Sequence, residues 1–162
     1  MKRVVNLAAR TFRAFFPATL EPDDGFAESR LSAAEYALYA DMDVRDRHHA
    51  CQVAQAVLSE VPAASKVLVR AALLHDVGKS GARYRAWERI LVHLYTPRSL
   101  PREPRLGGLR GAWQRRLHHE HYGAELIRRA GGDAEVANIV ARHHRPAGHA
   151  EAEQLKRVEE TF

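Results

Sequence analysis

Residues 73–80 read LLHDVGKS: two leucines, an adjacent histidine and aspartate, then Val-Gly-Lys-Ser. The stretch before them, AASKVLVRAALL over residues 63–74, is apolar and helical in pattern. An imidazole and a carboxylate at the end of such a segment admit two readings. They are ordinary polar residues at a helix terminus, or they are neighbouring ligands for a metal ion. The remaining histidines and acids decide between the two.

The chain has 162 residues, enough for one domain with a real core and no need of disulfides. Nearly half of it is apolar and about a quarter charged, the profile of a globular protein. The one cysteine, Cys51, has no internal partner, which suits a reducing compartment and a role as a small buried hydrophobe. No apolar run approaches the roughly 18–20 residues of a membrane span, and a cytoplasmic location is expected. The N-terminal stretch MKRVVNLAARTFRAFF is basic and apolar but interrupted by Arg10 and Arg13, with no cleavage site after it. Residues 1–30 are therefore expected to be an amphipathic extension packed on the domain, with a membrane-surface role as the alternative.

Charge is unevenly spread. Residues 81–116 hold nine arginines (83, 85, 89, 98, 102, 105, 110, 115 and 116) against Glu88 and Glu103, a local charge of +7 in a chain of net +5. This basic insertion is either a solvated cationic face or an electropositive rim that draws in a phosphorylated substrate.

Strand signals are weak and helix signals recur, so the expected fold is all-α, a single helical bundle spanning the chain. LSAAEYALYADM opens with Ser32 and Glu35 in capping-box spacing. RDRHHACQVAQAVLSEV follows, and Pro62 breaks it. A helix is expected over Ala63–Val77, stopped by Gly78. RYRAWERILVHLYTP is amphipathic, with Trp87 and Trp113 expected to anchor the insertion in the core. RSLPREPRLGGLRG, with its prolines and glycines, is expected to be a loop and the most flexible part. Helices then end at Gly131-Gly132, before Pro146, and at the last residues.

His48-His49, His75-Asp76, His118-His119, His121, His143-His144 and Glu159-Glu160 fall on five of these helices. A metal site inside a helical bundle is assembled in this way, from inward side chains of facing helices. Imidazoles and carboxylates suit divalent manganese, iron, cobalt, nickel or zinc.

LLHDVGK resembles the signature of the HD-domain superfamily of metal-dependent phosphohydrolases, in which the adjacent His and Asp both bind metal. In that family a first ligand histidine precedes a Val-Ala pair by four residues, as His49 does in HACQVA, with Arg45 and Asp46 upstream. HEHYGAELI resembles the segment found in two-metal members, with His119 four residues before Gly123, and IVARHHRP supplies His143 and His144. The resemblance runs from about Leu31 to the end of the chain.

There are two departures from the family pattern. The late aspartate of the family is replaced in LKRVEE by Glu159, with Glu160 as the register alternative. Forty-four residues separate His75 from His119, more than compact two-metal members such as HD-GYP domains show. The extra length is the arginine-rich stretch, read as an insertion or lid.

The resemblance implies one or two divalent ions, with Asp76 bridging them. His49, His75 and Glu159 would serve one ion and His119, His143 and His144 the other. A bound divalent metal lowers the pKa of its water from about 15.7 to about 7, and two ions ~3.5–4 Å apart clamp the attacking and departing oxygens. Asp76 and Lys79 are the expected catalytic residues. Lys79 would hold a phosphate oxygen or a water; the plainer reading is a solvated lysine favoured by the helix dipole. Arg83, Arg85, Arg98 and Arg102, together with Lys79, are candidates for substrate contact, since a guanidinium forks onto two phosphate oxygens. His93, His118, His121 and His149 have no motif position.

The expected function is hydrolysis of a phosphomonoester or phosphodiester of a nucleotide-like substrate by a metal-activated water. A di-iron oxygenase of HD type and a non-catalytic module binding a partner or nucleic acid through its basic segment are the alternatives. Substrate identity and oligomeric state are left open.

Overall fold

The computed structural model describes residues 20–80 and 86–162, without the side chains of residues 86, 89, 90 and 93. Most of the expected N-terminal extension, together with Arg83 and Arg85, lies outside the described residues. Among the described residues the regular structure is entirely helical. A short helix α1 (Asp24–Glu28) leads to α2 (Ala33–Ala40), α3 (Val44–Glu60) and α4 (Lys66–Leu74). A 3-10 turn (Val77–Lys79) follows, then α5 (Ala86–Leu94), α6 (Gly108–Arg129), α7 (Ala134–Arg142) and α8 (Ala150–Glu159). The all-α bundle read from the sequence is the fold that forms.

Local chemistry starts these helices where the sequence signals them. Ser32 accepts from the Glu35 amide while the Glu35 carboxylate accepts from Ser32, a complete capping box. Ser65 accepts from the Leu68 amide at 2.9 Å, and Asp133 accepts from the Glu135 amide at 2.9 Å. Helix α6 ends in a Schellman motif: Gly131 has φ +75°, the Gly132 amide donates to the Ile127 carbonyl at 2.9 Å, and the Gly131 amide donates to that of Arg128 at 3.1 Å.

Helix α4 is apolar on nearly every side, and a helix of that kind belongs in the interior. Leu68, Val69, Ala71, Ala72, Leu73 and Leu74 are all buried, with α2, α3, α7 and α8 packed around them. One core cluster joins residues from every helix except α5. Ala27 and Leu31 belong to it, so the end of the expected extension is part of the packed body. Cys51 is buried, as its sequence context suggested, with its Sγ 3.1 Å from the Tyr39 hydroxyl.

A buried carboxylate ties three elements together. Glu35 on α2 accepts from Arg70 of α4 at 2.7 and 3.0 Å, and Arg70 also donates to Asp133 at 3.1 Å, the cap of α7. Burial opposes the charge on Glu35, yet the Arg70 guanidinium and Ser32 hold its pKa below the usual value.

Four expectations are corrected. The helix expected over Ala63–Val77 spans only Lys66–Leu74. His75 stands at its C-cap and its Nδ1 donates to the Ala72 carbonyl at 2.8 Å, capturing the acceptor the next helical amide would use. Gly78 is not a helix stop of the positive-φ kind; it lies inside the 3-10 turn, where the turn presses directly on α6. The loop after α5 is pinned rather than free. Gln114 donates to the carbonyls of Pro101, Arg102 and Pro104 and accepts from the Leu106 amide. One and two turns further along the same face of α6, His118 donates to Leu100 at 2.7 Å and Tyr122 to Arg102 at 2.6 Å. Trp113 is half-buried on α6, but Trp87 is 47% exposed and does not anchor the insertion in the core.

Candidate metal centre

Six of the sequence-predicted ligands come together. His49 from the first half of α3, His75 from the C-cap of α4 and Asp76 form one set, with ligand atoms within 4.8 Å of one another. His119 from the middle of α6 and His143 and His144 from the end of α7 form a second set within the same limit. The rings make a continuous row: His49 to His75 at 5.4 Å, His75 to His143 at 5.5 Å, His143 to His119 at 5.4 Å and His119 to His144 at 4.9 Å. Asp76 stands between the sets, its Oδ2 3.5 Å from His75 Nε2 and its Oδ1 3.5 Å from His119 Nε2.

The backbone orients these rings. His75, His119 and His143 each place Nδ1 on the carbonyl three residues earlier, those of Ala72, Arg116 and Val140, at 2.8, 3.1 and 2.7 Å. That hydrogen bond puts the proton on Nδ1 and leaves the Nε2 lone pair facing inward, the orientation in which a histidine ligates a metal. His75 and His143 can do this because both sit at helix C-caps, where the last carbonyls lack amide partners.

The donor set also fits a cation electrostatically. Buried side-chain atoms without a hydrogen-bond partner include His75 Nε2, Asp76 Oδ1 and His143 Nε2. Each such atom costs about 1–3 kcal/mol when left unpaired, and here all three belong to the two sets. Burial would raise the pKa of Asp76, but the Lys79 ammonium 2.7 Å away, and then His75, His119 and His49, hold it well below the carboxylate range. Burial, with help from the Lys79 charge, pushes His119 well below the usual imidazole value. Burial and His75 lower His143 to about 4, and burial and His143 lower His144 to about 4. Neutral imidazoles around an ionised carboxylate are the protonation states that bind a divalent ion.

Glu159 is in neither set. It is the half-buried last residue of α8, and its charge acts on Lys79 and His144 from the rim of the site. Glu160 is exposed and lies 3.8 Å from Lys156. Arg98 and Arg102 are exposed on the loop after α5. Among the histidines without a motif position, His118 pins that loop, His149 caps α8 and pairs with Glu135 at 3.0 Å, and His121 is exposed.

Two residues beside the ligands were not assigned to the site from the sequence. Asp46 is buried one helical turn before His49 and raises the pKa of Lys79, as Asp76 does, against the opposing effect of burial. Its three-residue spacing from His49 on one helix was the available signal. Phe162 packs edge-on against the His49 ring at 5.8 Å; nothing in the local sequence pattern points to it.

An all-helical protein with a histidine-rich centre able to hold divalent cations is the class that fold and site define. The chain belongs to the HD-domain family, whose model matches residues 31–161. No curated protein and no solved structure matches it at a significant level. No helix among the described residues is long and apolar enough to cross a membrane.

Proposed function

We propose that the protein is a metal-dependent phosphohydrolase that cleaves a phosphomonoester or phosphodiester of a nucleotide-like substrate in the cytoplasm. The observation that carries this reading is the convergence of six donors around buried atoms that lack hydrogen-bond partners, with one carboxylate between two sets. His49, His75 and Asp76 would hold one divalent ion and His119, His143 and His144 a second. Manganese, iron, cobalt, nickel and zinc all accept such ligands. Glu159 is close enough to influence His144 and Lys79 electrostatically, and a longer carboxylate there could complete either set.

When bound, the ion supplies charge that acidifies a water and offsets charge on the phosphate. The chain's own residues do the rest. Asp76 keeps its carboxylate ionised; Oδ2 accepts from Lys79, and Oδ1, without a hydrogen-bond partner, would be left for the ion. Lys79 stays protonated between Asp76 and Asp46, and with its side chain partly exposed it can donate to a phosphate oxygen entering from solvent. The anchored Nδ1 atoms keep three imidazoles from turning away while substrate exchanges. Arg98 and Arg102 extend a positive field toward solvent and favour anionic substrates.

A panel of nucleoside phosphates, cyclic nucleotides and cyclic dinucleotides, assayed with manganese, cobalt or nickel, tests the proposal. Release of phosphate or nucleotide is expected, lost on chelation and in Asp76→Asn. Lys79→Met is expected to lower kcat/KM at least tenfold, as loss of a charge-assisted hydrogen bond worth about 1.5–3 kcal/mol implies. Silence on the whole panel with metal bound would overturn it, and oxygen uptake by an iron-loaded sample would assign the centre to oxidation instead.

A further inference from the structure

Helix α5 turns an apolar stripe toward solvent. Trp87, Leu91, Leu94 and Tyr95 are 47, 39, 75 and 63% exposed. Their spacings of four, three and one residues place them along one side of the helix and its end. Among the described side chains of the same helix Glu88 and Val92 are the buried ones, so part of its apolar face looks outward. The end of the stripe is held in place: Trp113 Nε1 donates to the Tyr95 carbonyl at 2.7 Å, and the two rings meet edge to face at 5.6 Å.

The surroundings of the stripe are positive. Arg98 follows Tyr95 by three residues, and Arg110 stands one turn before Trp113 on α6; both are exposed. Exposed Arg102 rides on the loop that Gln114, His118 and Tyr122 pin, so its backbone position is set. Arg105 of that loop is instead engaged by Glu103 and Glu125 and lies over the Tyr122 ring. Of the two acids in this part of the chain, Glu88 is buried and Glu103 accepts from Arg105 at 3.2 Å.

We propose that this face docks on an anionic lipid bilayer surface, with Trp87, Leu91, Leu94 and Tyr95 entering the headgroup–acyl boundary and the arginines meeting lipid phosphates. The stripe is a ridge along one helix rather than a groove, and a ridge inserts into a deformable boundary. Tryptophan and tyrosine favour that boundary, since each has an apolar ring and a polar tip. Arginine forks onto phosphate oxygens. The single-sign field strengthens attraction to an anionic surface, whereas it opposes a second copy bringing the same charge. The site would then work beside a membrane that no helix of the described residues crosses.

Co-sedimentation of the full chain with phosphatidylcholine vesicles, with and without phosphatidylserine, reads this directly and needs no substrate. It stands or falls independently of hydrolysis. Binding is expected only with phosphatidylserine and should weaken as salt is raised. The pairs Leu91→Ser/Leu94→Ser and Arg98→Glu/Arg110→Glu should each cut binding tenfold or more. Leu58→Ser, which removes an exposed leucine on α3, should leave binding unchanged. Melting temperatures close to wild type would show that these surface variants remain folded. In a Trp113→Phe background, Trp87 is the only tryptophan, and its emission should shift to the blue on phosphatidylserine vesicles. No binding, equal binding to neutral vesicles, or indifference to the stripe variants would overturn the proposal. A vesicle-independent dimer dissolved by Leu91→Ser/Leu94→Ser would assign the stripe to a second copy.

Discussion

Replacing Gly78 by alanine tests the contact that holds the two ligand sets together. A Cβ on Gly78 would lie 2.0 Å from the His119 carbonyl oxygen, 2.6 Å from the Gly123 nitrogen and 2.8 Å from the His119 carbonyl carbon. All three are backbone atoms, so no side chain can rotate aside. Reaching an ordinary contact near 3.4 Å from 2.0 Å requires the 3-10 turn and α6 to separate by about 1.4 Å. Overpacking of this kind costs about 1–3 kcal/mol, and rigid backbone on both sides puts it at the upper end. For a protein of this size, about 3 kcal/mol lowers Tm by roughly 6–12 °C.

The same movement has a functional consequence. Asp76 immediately precedes the turn, and its Oδ1 lies 3.5 Å from His119 Nε2 on α6. Coordination distances tolerate only about 0.2 Å, so an opening of this size removes the shared carboxylate from one set. Gly78→Ala should therefore melt lower and retain less metal after loading and gel filtration, as read by calorimetry and elemental analysis. Gly123→Ala is the graded control, since its Cβ would meet its nearest neighbours at 3.2 Å and should cost less. Wild-type melting and full metal content in Gly78→Ala would refute the reasoning.

Three further outcomes are expected. Glu35→Gln should destabilise the protein by about 3 kcal/mol in urea titration, because it leaves Arg70 without its buried partner; Asp133 keeps the loss at the lower end of the usual range. A change below the error of the titration would show that the network is dispensable. Stability of the metal-free protein should fall as pH drops from about 6.5 to about 4. His143, at about 4 in the fold, rises to about 6.5 when unfolded, so the unfolded chain binds the extra proton in that window. The effect is full above about 6.5, lost below about 4 and worth about 3 kcal/mol; a flat melting profile across the window, or the same fall in His143→Gln, would exclude it. Manganese at a hundredfold over its Kd should stabilise the protein by about 2.7 kcal/mol, and a chelator should reverse this. His75→Ala and His143→Ala should lose the response, and metal-indifferent melting of the wild-type chain would speak against a resident ion.

How much of this was legible in the chain differs element by element. Caps and stops act over three or four residues, so Ser32-Glu35, Asp133 and Gly131-Gly132 were readable from spacing alone. The end of α4 was not, because it depends on the His75 ring taking the Ala72 carbonyl, a side-chain choice that propensity does not encode. The proline- and glycine-rich loop looked mobile because its own residues provide no anchors. The anchors come from Gln114, His118 and Tyr122 on α6, spaced one turn apart and hidden within an ordinary amphipathic pattern. Trp87 looked like core because it is large and apolar, and its outward placement depends on how α5 lies against α6.

Local sequence determined the helical class and most helix starts and stops, since each depends on residues within a turn or two of one another, and the candidate ligands were legible from motifs spaced along the whole chain. The family resemblance anticipated Asp76 between two histidine sets, but tertiary structure alone decided that Glu159 remains at the rim. It also brought the turn at Gly78 against α6 closely enough to join them. Those facts depend on where helices far apart in the chain come to rest, and packing determines that.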